Sequence, residues 1–198
     1  MKDRIIQKAT EMFLKLGFKS VTMDDIACEM SISKKTIYKY FSNKEVLIEE
    51  GNDVFHSKIN AGIQEIIFQN FNAIEENFEI RKMFVEMFKI ADTSPLYQLK
   101  KHYPEIHKKV MSQETELCSE LFRQNILKGI QTEFYRQDLE VEIYVKFYYT
   151  LIFSINEQNV SENEIQKLEY RALEYHTRAM ATPKGITELE KQLLKHTL

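Results

Sequence analysis

Hydrophobic residues recur at three- and four-residue intervals along most of the chain, the spacing of one buried helical face. Ile5, Ile6, Ala9, Met12, Phe13 and Leu16 share such a stripe, predicting a first helix from Lys2 to Leu16 that Gly17 closes. Thr22 ahead of "MDDIACEM" predicts a short second helix, with Asp24 and Asp25 complementing its positive end. After the turn "MSIS", Ser33 caps a third, "KKTIYKY", and Ser42 with Glu45 reads as a capping box opening a fourth that runs from Asn43 to about Phe68. Asn72 with Glu75 caps a fifth, to about Ala91. Ser94-Pro95 and Tyr103-Pro104 mark fresh starts, because proline suits a first helical turn. Asp138 precedes a helix to about Gln158, Ser161 with Glu164 opens another to about Ala181, and Thr187 with Glu190 opens a last short one.

Composition agrees with this helical pattern. Of 198 residues only 5 are Gly and 3 are Pro, leaving few places for hairpins, and 43% are hydrophobic, enough for a compact core. The expected fold class is all-α: a three-helix helix-turn-helix domain over residues 1–48, then a larger helical domain over 49–198. The fourth helix joins the two without a flexible linker. Cys28 and Cys118 lie far apart among helix formers, and no leader segment is evident, so both are expected to be reduced and buried in a cytoplasmic protein. The longest apolar run, Tyr144 to Ile155, is interrupted by Lys146 and Thr150, and no membrane partner is expected.

Charge changes the picture locally. The net charge is −3, yet Ser33 to Lys44 holds four lysines, two tyrosines and no acid. On a helix, Ile37 and Phe41 point together towards Ile26, Ala27 and Phe13, leaving Lys34, Lys35, Thr36, Tyr38 and Lys39 outside. A basic, hydroxyl-bearing helix after a helix and a four-residue turn is the helix-turn-helix arrangement, whose second helix enters the DNA major groove. Lysine donates to guanine, threonine serves several bases, and tyrosine hydroxyls suit phosphate oxygens. Lys44 stands at the start of the fourth helix, where free backbone N–H groups favour an anion. The plainer alternative is a solvated lysine face.

At these residues the chain resembles a known family. Thr22, Ile26-Ala27, a turn ending in Ser33, then Tyr38, Tyr40-Phe41, Lys44-Glu45 and Leu47 are similar to the DNA-binding signature of the TetR (tetracycline-repressor type) transcriptional regulators, in detail over residues 1 to about 50. The resemblance implies that Ser33, Lys34, Lys35 and Thr36 approach base edges, that Tyr38, Tyr40 and Lys44 hold phosphates, and that Thr22 caps the second helix near the backbone. Lys39 adds a cation on the same side. It further implies a ligand-responsive repressor that binds palindromic operator DNA as a homodimer and is released by a small-molecule effector. One departure stands out. Met30-Ser31 occupies the place where the family usually has Ala-Gly, and serine in a left-handed turn costs about 1 kcal/mol.

The segment from Leu139 to Ile155 is apolar nearly all round and so must bury two faces. With the following helix it is expected to form a four-helix dimer interface through Tyr144, Tyr148, Leu151, Ile155, Leu168, Ala172, Tyr175 and Ala179; the alternative is the central core helix of a monomer. Soft and aromatic side chains of the second domain are candidates to line an effector cavity, foremost Phe84, Phe88, Tyr97, Tyr103, Phe122, Phe147 and Tyr148. Glu86 is a candidate contact for a cationic ligand. The five histidines are scattered, neither cysteine has a near partner, and no phosphate-cradling loop or nucleophile motif occurs, so no cofactor, metal site or enzymatic activity is expected. The competing function class is an all-helical protein-interaction module.

Overall fold

The computed structural model describes residues 1–196, and among them the chain is all-α: an N-terminal three-helix helix-turn-helix domain followed by a larger helical domain. The helices are α1 (Lys2–Leu16), α2 (Met23–Glu29), α3 (Lys34–Tyr38), α4 (Lys44–Phe68), α5 (Ala73–Phe88), α6 (Pro95–His102), α7 (Pro104–Gln131), α8 (Val141–Asn156), α9 (Glu162–Met180) and α10 (Pro183–Lys195).

Several boundaries follow the expected caps. Thr22 and Asp25 exchange hydrogen bonds as a capping box at α2, and Ser33 accepts from the Thr36 N–H at α3. Asn72 accepts from the Ile74 and Glu75 N–H groups at α5, and Ser161 accepts from Glu164 at α9. Tyr103 breaks the chain between α6 and α7 with φ −140°, because the ring of Pro104 disfavours a helical residue before it.

Other boundaries differ from the sequence reading. At α4 the cap is Asn43, whose side chain accepts from the Val46 N–H at 2.9 Å, and not Ser42 with Glu45. α3 ends at Tyr38; the next residues tighten into a turn in which Tyr40 and Phe41 both donate to the Ile37 carbonyl, which swings Phe41 inward. α8 starts at Val141, while Asp138 pairs with Arg136 at 3.5 Å. The last helix begins at Thr182 and not Thr187, since Thr182 accepts from the Gly185 N–H and Pro183 fills the first helical position. Cys28 is exposed and Cys118 partly buried; burial pushes the Cys118 thiol up to about 12.

Two cores hold these helices. Ile5, Ala9 and Phe13 of α1, Ile26 of α2, Ile37, Phe41, and Leu47 and Ile48 of α4 form the first, joined by Leu99 of α6 and Ile106 of α7. Each fully buried Ile or Phe is worth about 1.5–3 kcal/mol, so Ile37 and Phe41 fasten α3 firmly. The second core lies between α5, α7, α8, α9 and α10 around Ile74, Phe78, Ile126, Leu173 and Leu189. Tyr135 lies flat on Gly129 there, where an added Cβ would come within 2.0 Å of its ring. A polar plug crosses this core: Asn77 donates to Asn125, Asn125 donates to Glu76 and to the Ala73 carbonyl, and Lys128 pairs with Glu76 at 2.7 Å.

Candidate nucleic-acid interface and buried cavity

The basic segment stands on the surface as a short helix. Ser33, Lys34, Lys35, Tyr38, Lys39 and Tyr40 are exposed and Thr36 partly so, while Ile37 and Phe41 beneath them are fully buried. The Ser33 hydroxyl lies 2.8 Å from that of Thr36, which orients both at the N-terminal end of α3. Lys34 is engaged within the protein: its Nζ lies 2.7 Å from Asp24, raising the lysine's pKa through that hydrogen bond. Lys35 and Lys39 have no such partner among the described residues. Ser31 adopts φ 54°, the left-handed conformation expected at the turn, with its N–H donating to Cys28 and that of Ile32 to Ala27.

Lys44 opens α4 and leans back over the rings of Phe13 and Tyr103, with its Nζ 3.3 Å from the Lys19 carbonyl. Lys19 and Lys101 lie close enough that, after partial desolvation, they and Lys44 hold the pKa of His102 below its usual value. Positive charge therefore extends beyond α3 onto the loop after α1 and the end of α6. Sequence reading missed Lys19 and Lys101, because only the docking of α6 on the first core brings them to Lys44.

A cavity of about 200 Å³ lies between the two cores. Of the seven candidates taken from the sequence, Phe84 and Phe88 of α5, Phe122 of α7 and Tyr148 of α8 line it. The other three candidates lie elsewhere. Tyr103 covers the first core, where its hydroxyl donates to the Phe18 carbonyl at 3.4 Å; Tyr97 packs against Lys101; Phe147 points to solvent and is 64% exposed. Phe13, Leu14 and Phe18 of the N-terminal domain reach the cavity, as do Ile48 and Phe55 of α4 and Leu96 and Leu99 of α6. Its carboxyl and guanidinium groups are those of Glu114, Glu162, Glu169 and Arg81, none of which was singled out from sequence. Glu86, which was, is exposed and pairs with Lys89 at 2.6 Å.

The outward face of α8 and α9 is apolar. Ile143, Phe147 and Leu151 recur every four residues on α8 and are exposed, and Tyr175, 72% exposed, and Ala179 stand on α9. Tyr144 and Leu168 are partly buried behind them. Of the residues expected at a dimer surface, Tyr148, Ile155 and Ala172 point inward into the protein's own core, because α8 turns that flank towards α7 and α9. Among the described residues no group of three or more potential metal ligands occurs, and no helix is long and apolar enough to cross a membrane.

A buried-backed basic helix after a left-handed turn, set on a larger helical body, defines a helix-turn-helix protein. Residues 5–50 match the family described as bacterial regulatory proteins, tetR family. The biofilm operon icaADBC negative transcriptional regulator IcaR of Staphylococcus aureus is 28% identical over 124 residues, which cover 63% of this chain and 61% of that protein, less than two thirds of its length. A transcriptional regulator from Cytophaga hutchinsonii superposes with a TM-score of 0.73 at 17% identity, covering 91% of this chain and 98% of its own. A gamma-butyrolactone receptor superposes with a TM-score of 0.66 at 13% identity over 98% and 96% of the two chains. At these identities the two structures establish the shared fold.

Proposed function

We propose that the protein is a ligand-responsive, DNA-binding transcriptional regulator, a repressor that binds palindromic operator DNA as a homodimer in the cytoplasm and is released by a small-molecule effector. Residues 1–48 read DNA and residues 49–198 bind the effector and the second subunit. The observation that carries this reading is the outward basic face of α3 over its buried Ile37 and Phe41 anchors. Ser33, Lys35 and Thr36 meet base edges, joined by Lys34 when it leaves Asp24. Tyr38, Lys39, Tyr40 and Lys44 hold phosphates, with Thr22 beside the backbone. The name of the IcaR relative supports repression, and that of the gamma-butyrolactone receptor supports a small-molecule signal.

The exposed stripe of Ile143, Phe147, Leu151, Tyr175 and Ala179 serves as the subunit interface, which sets two recognition helices on one duplex. The cavity serves as the effector site. Because its walls include α1, α4 and α6, an effector that favours one packing of these helices shifts the spacing between the two α3 helices and lowers DNA affinity by its differential affinity for the two states.

Selection of duplexes from a random library, followed by anisotropy titration at several salt concentrations, tests the reading. The expected result is a palindromic site bound by two chains, with affinity falling about 10³- to 10⁵-fold between roughly 50 and 200 mM salt, as for six to ten phosphate contacts. No selected site and no salt dependence would leave an all-helical protein-interaction module.

A further inference from the structure

The ionisable groups at the cavity do not balance. Glu114 on α7 has a partner, His56 Nδ1 at 2.8 Å. Arg81 on α5 donates through Nη2 to the Gln166 carbonyl at 2.9 Å, and its guanidinium faces the Tyr170 ring at 4.9 Å. Glu169 on α9 accepts from Asn156 at 2.6 Å, and its electrostatic counterpart is Arg81. Glu162, the first residue of α9, is left over. It is 7% exposed, one carboxyl oxygen accepts only a 3.5 Å bond from Gln166, and the other, Oε2, is buried with no partner. Among the described residues no cation pairs with it.

A buried carboxyl with an open oxygen is costly unless it is neutralised or given a partner. Burial above all, and then the nearby Glu169, push the Glu162 carboxyl up to about 7. Two α9 carboxyls and a single guanidinium thus share a cavity whose aromatic lining includes Phe55, Phe84, Phe88, Phe122, Tyr149 and Phe153, and that guanidinium interacts with Glu169. A bound anion would add a further negative charge to this set, whereas a cation would complete it. The aromatic faces also attract a cation and bury the apolar body that carries it.

We propose that the cavity binds an apolar cation, a small hydrophobic molecule bearing one protonated amine or quaternary ammonium group, and that Glu162 is the residue that receives its charge. The proposal rests on the reading of the cavity as the effector site. Asn52 Nδ2 and Arg81 Nε, both buried without a partner at the same cavity, give the molecule two donors for a hydrogen-bond acceptor elsewhere on its frame.

The test uses three probes of similar shape on the full chain: benzyltrimethylammonium, the neutral neopentylbenzene and the anionic benzylsulfonate. Binding is read by calorimetry on the wild type and on Glu162→Gln, with thermal unfolding of the variant as the check that it folds. The expected result is a cation preference of about 10- to 100-fold over the neutral probe that falls to near unity in Glu162→Gln. Preference for benzylsulfonate, or a cation preference untouched in the variant, would overturn the proposal. Operator affinity of the wild type with and without benzyltrimethylammonium separates the two readings: cation binding through Glu162 with unmoved operator affinity leaves the cation site standing and refutes the effector role.

Discussion

The side-chain carbonyl of Gln98 accepts a 2.8 Å hydrogen bond from the backbone N–H of Phe18, tying α6 to the loop that follows α1. The same amide donates to the Thr93 hydroxyl at 2.7 Å, so one side chain bridges the α5–α6 connection and the N-terminal domain. Leu96 and Leu99, on either side of Gln98, line the cavity together with Phe18, so this bond fastens two walls of the cavity to each other. Gln98→Ala leaves the Phe18 N–H without its partner and is expected to cost about 1–3 kcal/mol in urea unfolding. Under the proposed function it also weakens the effect of effector on DNA affinity more than it weakens effector binding. Calorimetry and anisotropy on the same preparation separate the two effects.

Ser31 gives the opposite sign. Its φ of 54° is one that glycine adopts without strain, so Ser31→Gly is expected to gain about 0.5–1 kcal/mol, or roughly 1–4 °C in thermal unfolding for a chain of this size. Ser31→Val, branched at Cβ, is expected to lose stability in the same experiment.

On DNA, Lys34 and Lys35 separate by their partners. Lys35→Ala should reduce the salt slope of binding by about one unit per chain, as for one lost phosphate or base-edge cation. Asp24→Asn releases Lys34 and removes a negative charge beside α3, and under the proposed function is expected to raise DNA affinity several-fold at low salt. An unchanged affinity for Asp24→Asn would mean that the Lys34 pair persists on DNA.

Phe147→Arg places a charge in the middle of the exposed α8 stripe. Sedimentation should show monomers where the wild type shows dimers, and operator binding should fall with the loss of the paired recognition helix. Tyr148→Phe, one residue away but turned inward, should leave the assembly intact.

Two buried groups set opposite pH limits. His176 is stacked on Tyr148 at 4.4 Å, and burial lowers its pKa to about 4. Its folded value lies below its unfolded one, so its contribution is complete above about pH 6.5 and is lost as pH falls towards 4, by up to about 3 kcal/mol. Glu162 has a folded pKa of about 7, above its unfolded value, so its contribution is complete in acid and is lost as pH rises through 7. Between about pH 4.5 and 6.5 the two contributions run in opposite directions and nearly cancel, so melting temperature should be flat there. His176→Gln should leave it falling as pH rises across that window, and Glu162→Gln should leave it rising.

How far the sequence reveals this molecule depends on whether the deciding contacts are local. Ile37, Phe41 and the caps at Thr22, Ser33 and Asn72 are visible because helical spacing and cap chemistry act within a turn or two. The start of α10 is hidden because "TPKG" combines turn-forming residues with a cap, and only the bond from Gly185 to Thr182 decides between them. Phe147 and Tyr148 are chemically alike, and an all-round apolar helix does not disclose which flank meets α7 and α9. Arg81, Glu162 and Glu169 carry no local signature at all. They become a site because α5 and α9, about eighty positions apart in sequence, close on the same void.

Leu99 and Ile106, contributed by α6 and α7, complete the core beneath the recognition helix. The reading head is therefore not a detachable cassette. Grafted alone onto another body it would present a bare greasy socket to water, and substitutions at Leu99 or Ile106 are felt beneath α3 although neither residue belongs to the N-terminal helices.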